Sequence, residues 1–126
     1  MSEILVLYYS RNGSVAALAG QVARGINAVS GASACLRTVP PVMTGIGSPM
    51  PAVPAQGAPY VSNSDLQRCD GLVLGSPTRF GNMAAALKHF IDGTGSEWLG
   101  GTLRGKPAGV FTSSSSLHGG QEMPQM

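Results

Sequence analysis

The fold of this 126-residue chain is decided by the stretch Gly71-Leu72-Val73-Leu74-Gly75-Ser76-Pro77-Thr78-Arg79-Phe80-Gly81-Asn82-Met83. Its first five residues form a short apolar run, typical of a strand that is buried on both faces of a parallel sheet. A helical pattern begins near Asn82, and the loop between them, from Ser76 onward, carries a hydroxyl, a guanidinium and an aromatic ring. Open α/β sheets bind ligands at loops beyond the carboxyl ends of their strands. The stretch therefore predicts an α/β fold and a site for a flat ligand that is rich in heteroatoms.

The remainder of the chain alternates between strand and helix patterns. A continuous apolar run over residues 4–9 predicts the first strand, and residues 34–39 and 107–111 predict the second and fourth. Apolar residues recur at helical spacing after the first and third strands, at Val15, Leu18, Ala19, Val22 and Ile26 and at Met83, Leu87, Phe90 and Ile91. Strands that alternate with helices imply right-handed crossovers and a parallel sheet.

One segment breaks this alternation. Residues 40–59 hold six of the nine prolines and show little periodicity, so we expect one long irregular excursion there. A short helix over residues 64–68 follows it. There is no internal repeat and no linker, and the length suits one domain over residues 1–126.

The composition of the chain argues against some classes of function, nucleic-acid binding and membrane insertion among them. Charged residues make up 11% of the chain, against roughly 25% in typical globular proteins, so we expect part of the uncharged surface to be buried in a homo-oligomer. The net charge of +2 comes without a Lys/Arg cluster, which argues against nucleic-acid binding. No apolar run approaches the ~20 residues that span a bilayer.

The cysteines and the start of the chain indicate the cellular compartment in which we expect the protein. Cys35 and Cys69 have no metal-binding or CxxC spacing, so we expect free, buried thiols and no metal site. The sequence enters a strand directly after Met1, and it shows no basic segment typical of a signal peptide. We therefore expect a cytoplasmic protein.

The loop after the first strand has two interpretations. Ser10, Asn12, Gly13 and Ser14 precede a predicted helix, whose first N–H groups suit a phosphate, and Gly13 allows close backbone approach. Ser and Asn are also ordinary helix caps, and that alternative stays open for this loop alone. The loop is neither GxGxxG nor GxxxxGK[ST], which disfavours a dinucleotide fold and a nucleoside triphosphatase.

Taken together, several segments resemble those of a known family. They are residues 5–10 with Gly13, residues 75–83, Trp98, residues 110–113 and residues 119–122. The chain resembles the flavodoxin-like fold, and more narrowly the WrbA family of type IV NAD(P)H:quinone oxidoreductases. The resemblance implies a doubly wound parallel sheet of order 2-1-3-4, with the family's fifth strand absent from this chain.

The resemblance also implies roles for particular residues. The FMN phosphate would be wrapped by Ser10, Arg11, Asn12, Gly13, Ser14 and Val15. The isoalloxazine ring and ribityl chain would be lined by Thr78, Arg79 and Phe80. The opposite side of the flavin would be closed by Ser113, Ser114, Ser115, Ser116, Leu117 and His118. Trp98 would face the space where nicotinamide and quinone take turns.

The implied activity is the two-electron reduction of quinones by NADH or NADPH through bound FMN, in ping-pong order and without a catalytic protein nucleophile. Two alternatives stay open: a non-enzymatic electron carrier, and an interaction domain that has lost its flavin. Trp98 and the absence of acidic character favour the enzyme, since small electron carriers are typically acidic.

The chain departs from the family in three ways. Asn12 stands where many relatives carry an aromatic residue, and the third loop, predicted from Thr112 to Gly120 after the fourth strand, is rich in serine rather than glycine. Family members also continue beyond the equivalent of Met126, so we expect the domain to be incomplete at its carboxyl end. A fourth strand left at the edge of the sheet would then favour a dimer or tetramer.

Overall fold

The computed structural model describes residues 1–11, 13–41, 57–78, 82–95 and 100–114. Within them strands and helices alternate along the chain, as the apolar patterns predict. The elements are β1 (Ser2–Tyr8), α1 (Ser14–Asn27), β2 (Ala32–Thr38), α2 (Asn63–Arg68), β3 (Gly71–Pro77), α3 (Ala85–Asp92) and β4 (Ala108–Ser113).

The strands form one parallel sheet in the order β2-β1-β3-β4, which confirms the predicted topology. In its register Leu5 of β1 lies beside Cys35 of β2 and Leu72 of β3. From Ile4 to Tyr8 the strand β1 is apolar, because neighbouring strands flank it and helices cover both of its faces. Among the described strands β4 lies at an edge, and Val110 in it is 44% exposed.

Alternate side chains of β1 enter two separate cores, one on each side of the sheet. Leu5 and Leu7 pack with residues of α2 and α3, whereas Val6 and Tyr8 pack with residues of α1. This division follows from the two-residue period of a strand. Helices on both faces of a parallel sheet make the fold doubly wound, as the flavodoxin-like resemblance implies.

Several element boundaries differ from the sequence-based expectation. β3 continues to Pro77 instead of ending at Gly75, and β4 continues to Ser113. Proline is tolerated at the end of β3 because pairing with β1 stops at Gly75, so Pro77 pairs with β4 alone. The helix expected near Asn82 begins at Ala85, although Met83 still packs against the core.

The apolar face of α1 is narrower than its sequence predicts. Val15 and Ala19 are buried, and Val22 and Ile26 pack against the same core. Leu18, which the spacing places on that face, is instead 40% exposed. The helix therefore contacts the sheet along a narrow stripe of its surface, and Leu18 lies at the margin of that stripe.

The proline-rich excursion returns to the sheet beside β2. Residues 42–56 lie outside the described part of the chain, so the irregular structure predicted there stays a prediction. After them Tyr60 forms an isolated parallel bridge with Thr38, whose N–H donates to the carbonyl of Pro59 at 3.0 Å. Ala58 is buried beside Tyr8, which anchors this return to the core.

Helix α2 is held by a buried carboxylate. Asp65 accepts a hydrogen bond from the N–H of Ser62 at 2.9 Å as part of a capping box, and a second one from the Ser62 hydroxyl at 3.2 Å. Arg37 and Arg68 pair with the same carboxylate, at 3.4 Å from Nε and 2.5 Å from Nη2 respectively. Two strands and a short helix are thus joined by polar contacts, since Arg68 also reaches Glu3 of β1 at 3.8 Å.

Both cysteines are free and buried, as expected. Burial raises the pKa of the Cys35 thiol and that of the Cys69 thiol. The Cys69 thiol also donates to the carbonyl of Leu66 at 3.2 Å. Among the described helices none is long and apolar enough to cross a membrane.

Candidate functional site

The carboxyl ends of β1, β3 and β4 meet at one edge of the sheet. Gly75 of β3 lies beside Tyr8 of β1 on one side and Phe111 of β4 on the other. The chain leaves β1 toward β2 but leaves β3 toward β4, so the winding reverses between β1 and β3. Such a reversal opens the crevice in which doubly wound sheets bind ligands.

The loop after β1 has the backbone geometry of an anion site. The N–H of Gly13 donates to the hydroxyl of Ser10 at 3.0 Å, and the Gly13 carbonyl accepts from Ala17 at 2.9 Å to begin α1. Gly13 adopts φ +92°, a left-handed conformation that glycine alone adopts without strain. The tight turn therefore brings the N-terminus of α1 to the sheet edge.

The first turn of α1 suits a negatively charged group. Within the described part of the loop no side chain caps this helix, and its first turn holds no acidic residue. The amide groups of a first turn lack partners inside the helix and carry partial positive charge. Arg11 is exposed in the same loop. These donors fit a phosphate, whereas an ordinary side-chain cap is not present among the described residues.

The predicted phosphate-binding residues do not all face the same environment. Ser14 and Gly13 are exposed, and Ser10 is half-buried. The side chain of Val15 is packed in the core beside Val6, so its backbone N–H is the only group that it can offer a ligand.

A second set of polar groups lies where β3 and β4 end. The hydroxyl of Thr112 donates to the carbonyl of Ser76 at 2.7 Å, and its oxygen lies 3.5 Å from that of Thr78. Thr78 is half-buried, as expected for a residue at the mouth of a crevice. The ends of both strands thus bring hydroxyl groups together, next to the loop that joins β3 to α3.

The third loop begins later than its sequence predicts. Ser113 belongs to β4 and pairs with Pro77, and only Ser114 of the described residues follows the strand. The remaining residues that are predicted to bind the cofactor or the substrate fall outside the described residues: Asn12, Arg79, Phe80, Trp98, Ser115, Ser116, Leu117 and His118.

Two residues of this region were absent from the predicted site. Ser76 is fully buried, and its hydroxyl accepts a hydrogen bond from the N–H of Ala84 at 2.8 Å. The alternation in β3 could have identified it, because Leu72, Leu74 and Ser76 share one face of the strand. A hydroxyl at a core position needs a partner. The other residue, Thr112, is expected from the sequence only as the first residue of the third loop, with no contact of its own.

The described loops at this edge carry little charge. In the described residues of the loops after β1, β3 and β4, Arg11 is the one charged side chain. Its positive charge complements an anion. Among the described residues no cluster of three or more His, Cys, Asp or Glu side chains could hold a metal ion. The donors present, amides and hydroxyls, suit an organic ligand with a phosphate group.

Comparison with known proteins identifies relatives. The family model described as NADPH-dependent FMN reductase matches residues 11–126. A protein of Solidesulfovibrio magneticus named NAD(P)H dehydrogenase (quinone) is 45% identical over 130 residues, which cover 98% of this chain and 64% of the relative. One of Geobacter sulfurreducens with the same name is 44% identical over 125 residues, covering 95% and 62%. The chain thus spans less than two thirds of these relatives.

Solved structures show the same architecture. The flavodoxin, WrbA-like protein from Agrobacterium tumefaciens superposes with a TM-score of 0.69 at 25% identity, over 94% of this chain and 63% of that protein. A flavodoxin from the domain Archaea superposes with a TM-score of 0.57 at 13% identity, over 91% and 86%. The second likeness concerns the fold alone.

Proposed function

The chain belongs to the NADPH-dependent FMN reductase family, and on that premise we propose that it binds FMN and uses it to reduce quinones with NADH or NADPH. The observation that carries the proposal is the loop after β1. There Ser10 and the left-handed Gly13 bring a helix N-terminus, which no described side chain caps, to the carboxyl edge of a doubly wound sheet. The names of the curated relatives support quinone as the oxidant.

The phosphate end of FMN is assigned to this loop. The N–H groups of Ser14 and Val15 would donate to the phosphate oxygens, with Arg11 adding positive charge nearby. Gly13 lets the backbone approach the ligand because no side chain intervenes; a methyl group at this position would find open space within the protein. The Ser10 hydroxyl would hold the turn through its bond to the Gly13 amide.

The ring end of FMN is assigned to the ends of β3 and β4. Thr78 and Thr112 supply hydroxyls there, and Arg79, Phe80 and residues 113–118 complete the proposed wall. The chemistry that FMN supplies when bound is acceptance of a hydride from NAD(P)H and transfer of two electrons to a quinone. The role of the chain's residues is to bind and orient the flavin, and Trp98 is proposed to contact the quinone.

Oligomeric state and location remain part of the proposal. The low charge content and the exposed Val110 on an edge strand favour a homo-oligomer, a dimer or tetramer. The free thiols of Cys35 and Cys69 favour a reducing compartment such as the cytoplasm. Light scattering beside intact-mass measurement tests the first of these.

Steady-state kinetics tests the proposed reaction. Purified protein supplied with FMN should oxidise NADH or NADPH continuously, beyond one equivalent per flavin, only when a quinone is present, and double-reciprocal plots at several quinone concentrations should be parallel. Parallel lines are expected because nicotinamide and quinone use one flavin face in turn. Intersecting lines would contradict the shared site, and no quinone-dependent oxidation would contradict the enzyme in favour of an electron carrier.

Trp98 provides a variant that separates binding from turnover. Trp98→Ala should lower the rate of quinone reduction while the dissociation constant for FMN stays within about twofold of the wild-type value, a change of less than about 0.5 kcal/mol. An equal loss of both would place this residue at the flavin rather than at the quinone.

A further inference from the structure

The hydroxyl of Ser76 connects the two ends of the loop between β3 and α3. It donates a hydrogen bond to the carbonyl of Pro77 at 2.9 Å and accepts one from the N–H of Ala84 at 2.8 Å. The side chain is 0% exposed, so neither bond competes with water. One buried group thus bonds both to Pro77 at the end of β3 and to Ala84 at the start of α3.

This hydroxyl also takes the place of a helix cap. Ala84 is the N-cap residue of α3 and has no capping side chain of its own. Its N–H is buried, so it would be left without a partner if the Ser76 hydroxyl were removed. Because a buried amide without a hydrogen-bond partner is unfavourable, the start of α3 would move to find another acceptor.

The backbone of Ser76 adds a link to the neighbouring strand. Its carbonyl accepts the hydrogen bond of Thr112 at 2.7 Å, and Thr112 in turn lies 3.5 Å from the hydroxyl of Thr78. Ser76 is therefore connected to β4, to the start of α3 and, through Thr112, to the first residue of the loop.

We propose that Ser76 is a positioning residue for the ring-binding side of the site. It ties Ala84 at the start of α3 and, through Thr112, Thr78 after β3 to the end of β4, so that these residues hold one arrangement beside the flavin ring. The inference rests on the proposed function, because it assumes that flavin binds at this edge. It assigns Ser76 no contact with the ligand, since its hydroxyl is buried and both of its bonds are made within the protein.

Loss of the Ser76 hydroxyl should affect the binding of the flavin ring and not that of the phosphate. Ser76 lies at the end of β3, whereas the phosphate is assigned to the loop after β1. Its loss should therefore weaken FMN and riboflavin, which share the ring and differ in the phosphate, by the same factor. A change in the ring environment should also alter the visible absorbance bands of the bound flavin.

The experiment compares Ser76→Ala with Ser62→Ala, which removes the capping hydroxyl of α2 away from the proposed site. Dissociation constants for FMN and riboflavin, visible spectra and thermal midpoints are measured for both variants. Ser76→Ala should weaken both flavins about tenfold and shift the bound-flavin spectrum. Ser62→Ala should lower the thermal midpoint and leave affinity and spectrum unchanged.

Two further variants complete the test. Ser76→Thr, which retains the hydroxyl, should restore most of the affinity and the spectrum. If Ser76→Ala does not fold, Ser76→Cys is measured in its place with the same expected result, because a thiol is only a weak donor and acceptor.

Three results would overturn the proposal. The first is a folded Ser76→Ala, or its Cys substitute, with wild-type affinity and spectrum. The second is a selective loss of FMN over riboflavin, which would connect Ser76 to the phosphate. The third is wild-type protein that binds neither flavin, which would overturn the proposed function as well.

Discussion

The ring of Phe111 lies directly against the backbone of Gly75. A methyl group built on Gly75 would lie 2.2 Å from Cζ of Phe111 and 2.5 Å from Cε2. The two residues are partners in the β3–β4 register, and Phe111 packs on the same face of the sheet as Tyr8. Glycine at this position therefore allows an aromatic side chain of β4 to cover the neighbouring strand.

Substitution of Gly75 should destabilise the protein. Gly75→Ala should lower the free energy of unfolding by about 2–3 kcal/mol, because the ring of Phe111 must move away from the strand. Gly20→Ala is the matched control: Gly20 lies within α1, and an added methyl group meets no atom within 4 Å. It should raise stability by about 0.5–1 kcal/mol through helix propensity. Urea unfolding followed by circular dichroism measures both, and equal effects would contradict the packing described.

The buried carboxylate of Asp65 should contribute more than an exposed ion pair. Asp65→Ala removes the partner of Arg37 and Arg68 and breaks the capping box of α2. We expect a loss of about 2–3 kcal/mol, below the value for fully buried pairs because both guanidinium groups are partly exposed. Lys88→Ala, which breaks the exposed pair with Asp92, should change stability by less than about 0.5 kcal/mol.

The same unfolding experiment compares the two variants. A loss for Asp65→Ala no larger than that for Lys88→Ala would show that the network around α2 contributes little to the stability of the folded protein.

The buried thiols should make stability fall at alkaline pH. Burial raises the pKa of Cys35 and of Cys69 in the folded state, whereas a thiol in the unfolded chain titrates near about 8.5. Ionisation of either thiol therefore favours the unfolded chain. The stability that comes from burying the neutral thiols is complete below about pH 8.5, and it is lost as the pH rises through the pKa values of the folded state. Unfolding free energies measured from pH 7 to 10 should decline.

A double variant isolates the thiols from other alkaline effects. Cys35→Ala/Cys69→Ala should show a shallower decline over the same range, although its stability at pH 7 should be lower because core volume is lost. An identical slope in the variant and the wild type would assign the pH dependence to other groups.

Much of the fold could be predicted because its signals are local. The apolar runs of β1 and β3 identify buried strands, and their alternation with helices leads to the order 2-1-3-4. The ends of β3 and β4 could not be placed, since Pro77 and Ser113 are typical of loops. Their strand structure depends on pairing with each other, which is a contact between distant parts of the sequence.

The candidate site was predictable in part for the same reason. The loop after β1, to which we assign the phosphate, is recognisable as a turn into a helix from Ser10 and Gly13, because such a turn has a local signature. The role of Ser76 depends on Ala84, which lies on the far side of a loop, and that of Thr112 on an adjacent strand. Leu18 failed as a core residue because helical spacing does not tell how wide a stripe the sheet covers.

The comparison of FMN with riboflavin tests the central claim most directly, since the two flavins differ in the phosphate assigned to the loop after β1. Fluorescence titration of the wild type should show FMN bound at least tenfold more tightly, a difference of about 1.4 kcal/mol. Gly13→Val should remove most of that preference, because a β-branched residue cannot adopt the φ of +92° without strain. Equal affinity of the wild-type protein for both flavins would contradict the account.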